Sequence, residues 1–264
     1  MLRLLLVLFV ACQGSSASGP TSQVREDQTT TNPAPEPHVE PLPVVERLLG
    51  GATDSEPLPL VVALHGRGSD PERFARFFED APFKARLLLV EAPIDEGNGR
   101  AWFSFRGKGR EELSAEMRGL AAQVVRSTEI AMAQHPTIGK PVVTGFSQGA
   151  MIVYILALEH GDRYDLAVPV SGTLFGSFVP NAEVQSPPIV ALHGEDDPII
   201  PMRSGQRNLD ALRRRGVDVS FHTFPEIPHW IMGAMKEKLH ETLAEACVAP
   251  SEAPNATDSD TTPD

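Results

Sequence analysis

The chain has 264 residues, an apolar fraction of 41% and a formal net charge of −12. That length suits one catalytic-sized domain, and the apolar fraction is enough for a packed core. The negative charge is the wrong sign for binding a phosphate backbone, so nucleic acid is excluded as a partner. The only basic block, Arg213-Arg214-Arg215, falls at a predicted helix end, where cations favour the dipole.

At the N-terminus, Met1-Leu2-Arg3 precedes an apolar run from Leu4 to Ala11, then Cys12 and a Ser/Gly-rich stretch. A cation, a short apolar run and small residues read as a signal peptide over residues 1–12. The run is too short to span a bilayer, which takes about 20 apolar residues. Leu8-Phe9-Val10-Ala11-Cys12 resembles a bacterial lipoprotein lipobox, with Phe9 where that pattern usually has Leu. The resemblance implies an acylated Cys12 and a membrane anchor; the alternative is a cleaved signal with an incidental cysteine. Either reading predicts export to the cell envelope, periplasm or medium. If Cys12 carries lipid, Cys247, the other of the two cysteines, is a free thiol.

Residues 13–38 are rich in Ser, Thr, Pro and Gly and predict a disordered tether, because they bury too little apolar surface to fold. Residues 248–264 repeat that character with added acid and predict a disordered tail. The folded domain is therefore expected over residues 39–247.

Within the domain, Val44–Leu49 predicts an N-terminal antiparallel strand. Leu58–Leu64, Arg86–Val90, Pro141–Gly145, Leu166–Val170 and Pro188–Leu192 are short apolar runs, as in parallel strands buried on both faces. Val217–Phe224 alternates apolar and polar residues, like an edge strand. Helical segments fall between them. The first, Pro71–Asp80, opens with Asp70 at N-cap and Pro71 at N1. Glu111–Gln134, Gln148–His160, Ser204–Arg215 and Ile231–Ala246 follow. Strand–helix alternation of this kind gives an α/β sandwich on a mostly parallel sheet, with helices on both faces. Ser171–Pro187 is too short for a separate lid domain.

The central motif is Gly145-Phe146-Ser147-Gln148-Gly149, between an apolar strand and a helix. That context turns Gly-x-Ser-x-Gly into a nucleophile elbow, with Ser147 raised above the sheet at a helix N-terminus. An acyl-transfer site needs two N–H donors for its oxyanion. Gln148, following the serine, supplies one. Leu64-His65-Gly66-Arg67-Gly68, a loop after a strand, is placed to supply the other. The same loop lacks the lysine of a phosphate-cradling motif. An acid and then a histidine should follow in chain order. His193-Gly194-Glu195-Asp196-Asp197-Pro198 offers three adjacent carboxylates, and His229 stands in a turn before the last helix. His222, on a strand, is the competing base, and His65 and His193 read as structural members of their loops. Zinc is disfavoured because no second histidine stands at ligand spacing from His193, and no cofactor is called for.

These motifs together resemble the carboxylesterase/phospholipase group of small α/β-hydrolases that also contains acyl-protein thioesterases. The resemblance runs over about residues 58–246. It implies an α/β-hydrolase fold, a triad of Ser147, His229 and Asp197, and an oxyanion hole from the backbone N–H groups of Arg67 and Gln148. Among the three carboxylates, Asp197 is selected by His-Gly-x-x-Asp. Arg100-Ala101-Trp102-Phe103 is similar to a pocket-lining segment of that group. Many members have Gly where this chain has Ile227-Pro228. The expected substrate is a small-molecule or lipid ester, with thioesters and lysophospholipids as alternatives. It would lie in an open cleft floored by Trp102, Phe103, Phe175, Phe178 and Trp230, each of which reads equally well as a core residue. A peptidase reading fails for want of room for an extra domain. A silent binding protein on the same fold is the alternative from another class.

Overall fold

The computed structural model describes residues 39–248. The segments expected to be a signal peptide with Cys12, a linker and, beyond Val248, an acidic tail lie outside the described residues.

The elements run β1 (Val44–Leu49), β2 (Leu60–Leu64), α1 (Pro71–Ala75), β3 (Ala85–Val90), a hairpin of β4 (Ile94–Glu96) and β5 (Gly99–Ala101), then α2 (Arg110–Gln134). They continue β6 (Val142–Phe146), α3 (Gln148–Glu159), β7 (Leu166–Val170), β8 (Ile189–Gly194), α4 (Met202–Arg213), β9 (Val219–Phe224) and α5 (Gly233–Cys247). The main sheet has seven strands in the order β1-β3-β2-β6-β7-β8-β9. Only β1 is antiparallel, pairing Val44 with Val90 through Leu49 with Ala85. It is an α/β-hydrolase sheet.

Continuous apolar strands are explained by a core on each face. Leu60, Val62 and Leu64 of β2 face one cluster with Met117 of α2, Ile152 of α3 and Leu209 of α4. The intervening Val61 and Ala63 face the other, with Phe74 of α1 and Met235 and Leu239 of α5. Because strand side chains alternate, a strand buried on both sides has no polar position to spend. The two edge strands, β1 and β9, are the exceptions and are mostly partly or fully exposed.

The sequence expectation differs from the structure in two places. The helix expected over residues 71–80 ends at Ala75, after which Phe77 N–H and Phe78 N–H bond to the carbonyls three residues back. This tightening tucks Phe78 into the core, where it packs edge-on against Phe74 with centroids 5.6 Å apart. The β4–β5 hairpin was not expected. Its residues, Ile94 to Ala101, are mostly polar and show no period-two pattern. It is held instead by Arg100, whose backbone pairs with the Gly68–Ser69 loop and whose guanidinium reaches Glu91 at 2.6 Å. Cys247 is a buried free thiol, and burial pushes its pKa up to about 12.

Candidate active site

Ser147 stands at the junction of β6 and α3 with φ 54° and ψ −112°, a backbone conformation that L residues rarely adopt. Such a conformation costs on the order of 1–3 kcal/mol and persists only where its surroundings enforce it. They do so here through close packing of the elbow. A Cβ on Gly149 would lie 2.2 Å from the Leu64 carbonyl oxygen, and one on Gly145 would lie 2.8 Å from the Gly149 carbonyl carbon. Ser147 N–H donates to the Val170 carbonyl at 3.0 Å, which fastens the turn to β7.

His229 is brought to this serine from a turn 82 residues along the chain, its Nε2 2.9 Å from Ser147 Oγ. Its Nδ1 lies 2.6 Å from Asp197 Oδ2. Asp197 Oδ1 accepts the N–H groups of Ile199 and Ile200 at 2.9 and 2.8 Å. Burial alone would raise the Asp197 pKa, but hydrogen bonds from His193, His229 and Ile200 N–H overcome it and hold the carboxyl well below the usual carboxylate range. An ionised carboxylate only accepts. The proton on His229 is therefore on Nδ1, leaving Nε2 as the acceptor for the Ser147 hydroxyl.

Glu195 and Asp196, the other two candidates, are turned away: Glu195 accepts from Thr223 Oγ1 at 2.8 Å, and Asp196 is exposed. His222 lies on edge strand β9 opposite Leu192, not beside Ser147. His193 has more to do than hold its loop. Its Nε2 donates to the Ile200 carbonyl at 2.8 Å and lies 3.3 Å from Asp197 Oδ2. The His193–Asp197 spacing of four residues was the only sequence sign of this contact.

Gln148 directly follows the serine, and Arg67 lines one cavity with Gln148. Gln148 opens α3, so its N–H has no partner within the helix. The loop around Arg67 is fixed by bonds from Gly68 N–H to Arg100 O at 2.7 Å and from Ser69 N–H to Gly66 O at 3.1 Å. The Arg67 guanidinium turns outward to pair with Glu96. His65 anchors the same loop: its Nδ1 donates to Gly66 O at 2.8 Å and its Nε2 accepts Ala92 N–H at 3.2 Å. Burial lowers the His65 pKa, in keeping with a ring fixed in one neutral tautomer.

The expected aromatic floor is corrected by the structure. Trp102 and Phe178 are core residues, and Phe178 carries the Arg118 guanidinium 4.8 Å over its ring. Trp102 instead braces the site, since its Nε1 donates to His65 O at 2.7 Å and its N–H to Gln148 Oε1 at 3.0 Å. The remaining aromatics do not share one cleft. Phe103, with Phe105, Ile94 and Gln148, lines a cavity of about 170 Å³. Phe175 backs that wall by packing edge-on against Phe105, at 6.0 Å. Trp230 lines a second cavity, of about 610 Å³, with Phe77, Phe146 and Ile231. The sequence reading missed Phe105 and Phe77, whose motifs carry no chemical signal.

Among the described residues, no group of three or more His, Cys, Asp or Glu side chains is arranged to hold a metal ion. No helix among them is long and apolar enough to cross a membrane.

The family model described as phospholipase/carboxylesterase matches residues 52–246. The chain is similar to acyl-protein thioesterase 1 of Gibberella zeae, 30% identical over 109 residues, covering 39% of this chain and 45% of that protein. It thus spans about half the length of that relative. It is also similar to the carboxylesterase SOBER1 of Arabidopsis thaliana, 26% identical over 198 residues, covering 69% of this chain and 82% of the other. Among solved structures, the esterase PE8 superposes with a TM-score of 0.63 at 24% identity, covering 78% of this chain and 98% of that one, a likeness of fold.

Proposed function

Because this chain belongs to the phospholipase/carboxylesterase family, we propose that it hydrolyses carboxylic esters through a triad of Ser147, His229 and Asp197. The observation that carries the reading is the hydrogen-bonded run from Ser147 Oγ through His229 to Asp197. In this mechanism Ser147 Oγ attacks the ester carbonyl carbon while its proton passes to His229 Nε2. The carbonyl oxygen becomes an oxyanion, which accepts the N–H groups of Arg67 and Gln148. Collapse breaks the carbon–oxygen bond, and His229 gives its proton to the departing alkoxide. A water then loses a proton to His229 and attacks the acyl-serine, releasing the acid and restoring Ser147. Asp197 keeps the proton of the resting imidazole on Nδ1 and stabilises the imidazolium. The strained backbone at Ser147 also argues for an enzyme over a silent binder, since a binding surface gives no reason to hold that conformation.

Thioesters are the second reading, favoured by the similarity to a protein named acyl-protein thioesterase 1. Labelling with a fluorophosphonate, followed by turnover of matched ester, thioester and amide substrates, tests both. Stoichiometric labelling that Ser147→Ala abolishes, with ester turnover, is the expected result. An unlabelled wild-type protein would end the proposal.

We further propose that the protein is exported, with Cys12 as the site of a lipid anchor. The lipobox-like run Leu8 to Cys12 supports this. Stable anchoring needs more than one acyl chain, because a single chain binds reversibly. Mass spectrometry of the mature N-terminus should find a diacylated or triacylated Cys12, and a mature terminus elsewhere would refute it.

A further inference from the structure

The two cavities share only Arg67, and each holds one chain neighbour of Ser147, Phe146 in the larger and Gln148 in the smaller. The smaller one is walled by Gln148 and Phe103 and holds no residue of the turn that carries His229. The larger one is walled by Phe146, Trp230 and Ile231, the chain neighbours of Ser147 and His229, and the Phe146 ring packs on the imidazole with centroids 4.8 Å apart. Under the esterase reading, on which this inference rests, His229 delivers its proton to the leaving oxygen. The departing alcohol must therefore lie on the His229 side, and the acyl chain on the Gln148 side.

The larger cavity has a definite chemistry. Its lining holds Arg67, Arg73, Arg76 and Lys236 and no acidic residue, in a chain whose net charge is −12. Three of these cations have carboxylate partners outside the lining: Arg67 pairs with Glu96, Arg73 with Asp70 at 2.7 Å, and Lys236 with Asp80 at 2.7 Å. Among the described residues Arg76 has no such partner, and it is exposed at the end of α1. Between the cations run apolar faces: Phe77 packs edge-on against Trp230 at 5.5 Å, and Trp230 and Met232 are about half exposed at the mouth. A free guanidinium beside an aromatic wall suits a ligand with an apolar body and an anionic group. We propose that this cavity is the leaving-group subsite, and that the substrates are esters whose alcohol joins an aromatic-sized apolar body to a carboxylate or phosphate.

The test uses 4-acetoxybenzoate, phenyl acetate and phenyl succinate, which place the anion on the alcohol side, nowhere, and on the acyl side. The ratio of kcat/KM for 4-acetoxybenzoate to that for phenyl acetate is measured in the wild type, in Arg76→Glu, and in Arg126→Glu. The last makes the same charge change on α2, away from the cavity. Arg76→Glu should lower the ratio about fivefold or more, the order expected when one exposed cation becomes an anion. Arg126→Glu should leave it within about twofold. An equal fall in both variants would assign the effect to overall charge and overturn the proposal. So would an Arg76→Glu effect confined to phenyl succinate. Binding is read separately, so that failure of the esterase reading is distinguishable. In Ser147→Ala, 4-hydroxybenzoate should change tryptophan fluorescence saturably, about fivefold more weakly in the Arg76→Glu background. Loss of the signal in Trp230→Phe, with Trp102 retained, would place the ligand in this cavity. Binding with no turnover of any ester would support the subsite and sink the esterase reading alone. No saturable binding would overturn the subsite.

Discussion

The Gln148 side chain grips the backbone of Trp102: its Oε1 accepts Trp102 N–H at 3.0 Å, while its Nε2 donates to the next carbonyl, Phe103 O, at 3.0 Å. The Trp102 indole in turn donates to His65 O at 2.7 Å. Two of the proposed oxyanion-loop segments, around His65 and around Gln148, are thus spaced by one buried amide and one buried indole. Both side chains act at a distance, as positioning groups.

Gln148→Leu keeps the proposed backbone donor and removes the clamp. Two buried backbone groups lose their partners, at about 1–3 kcal/mol each. Chemical denaturation should therefore show a clear loss of stability. kcat should fall about tenfold or more with KM less affected, because the donor is still present but no longer held. Unchanged kcat would refute the positioning role.

Arg67 separates backbone from side chain. With its guanidinium paired to Glu96 and half exposed, Arg67→Ala should lower kcat only modestly. Arg67→Pro deletes the N–H and should cost on the order of 10²–10³ in kcat. Circular dichroism must first show that the proline variant folds. Equal losses in the two variants would move the role to the side chain.

Asp197 has a folded-state pKa below its ordinary value, so its contribution to stability is present at neutral pH. That contribution is lost as pH falls below about 4, where the unfolded carboxyl takes up its proton first. The stability advantage of wild type over Asp197→Asn, measured by urea unfolding, should shrink from pH 6 to pH 3. The variant should also lose on the order of 10⁴ in kcat, because Asn no longer selects the Nδ1–H tautomer. A constant stability gap across that range would contradict the assignment.

His65 gives the opposite kind of group and the same sign. Its folded pKa is lowered by burial, so between that value and about 6.5 the unfolded chain binds the proton more tightly. Stability from this group is complete above about pH 6.5 and is lost as pH falls through that window. His65→Ala should flatten the pH dependence between pH 7.5 and pH 5, and lower stability at pH 7.5 by about 1–3 kcal/mol through the orphaned Ala92 N–H. Parallel pH profiles would refute this.

The smaller cavity, about 170 Å³, has room for about five or six water-sized volumes at ~30 Å³ each. For a fixed alcohol, kcat/KM should peak at acyl chains of about four to six carbons and fall by decanoate. Phe105, half exposed on its wall, sets that limit, so Phe105→Ala should move the optimum to longer chains. An unchanged optimum would show that the acyl chain lies elsewhere.

Local sequence determined much of this molecule. Apolar runs marked five of the seven strands of the main sheet, because strands buried on both faces need apolar residues throughout. The Gly-x-Ser-x-Gly elbow was legible because its five residues are contiguous, although only Gly145 answers a demand made within the motif and Gly149 makes room for the distant Leu64 carbonyl; Asp70-Pro71 marked a helix start by local capping. What tertiary structure alone decided are contacts between distant segments. Periodicity marks which face of an element is buried, not which side chain meets it. Hence Trp102 and Phe178, expected in the cleft, lie in the core, and the Gln148 amide, read only for its backbone, joins segments 46 residues apart. Likewise His229, not His222, reaches Ser147, because the turn after β9 carries it over the strand ends while β9 keeps His222 at the sheet edge. The β4–β5 hairpin has no apolar pattern because it is held by Arg100 and a loop backbone, interactions that leave no period in a sequence.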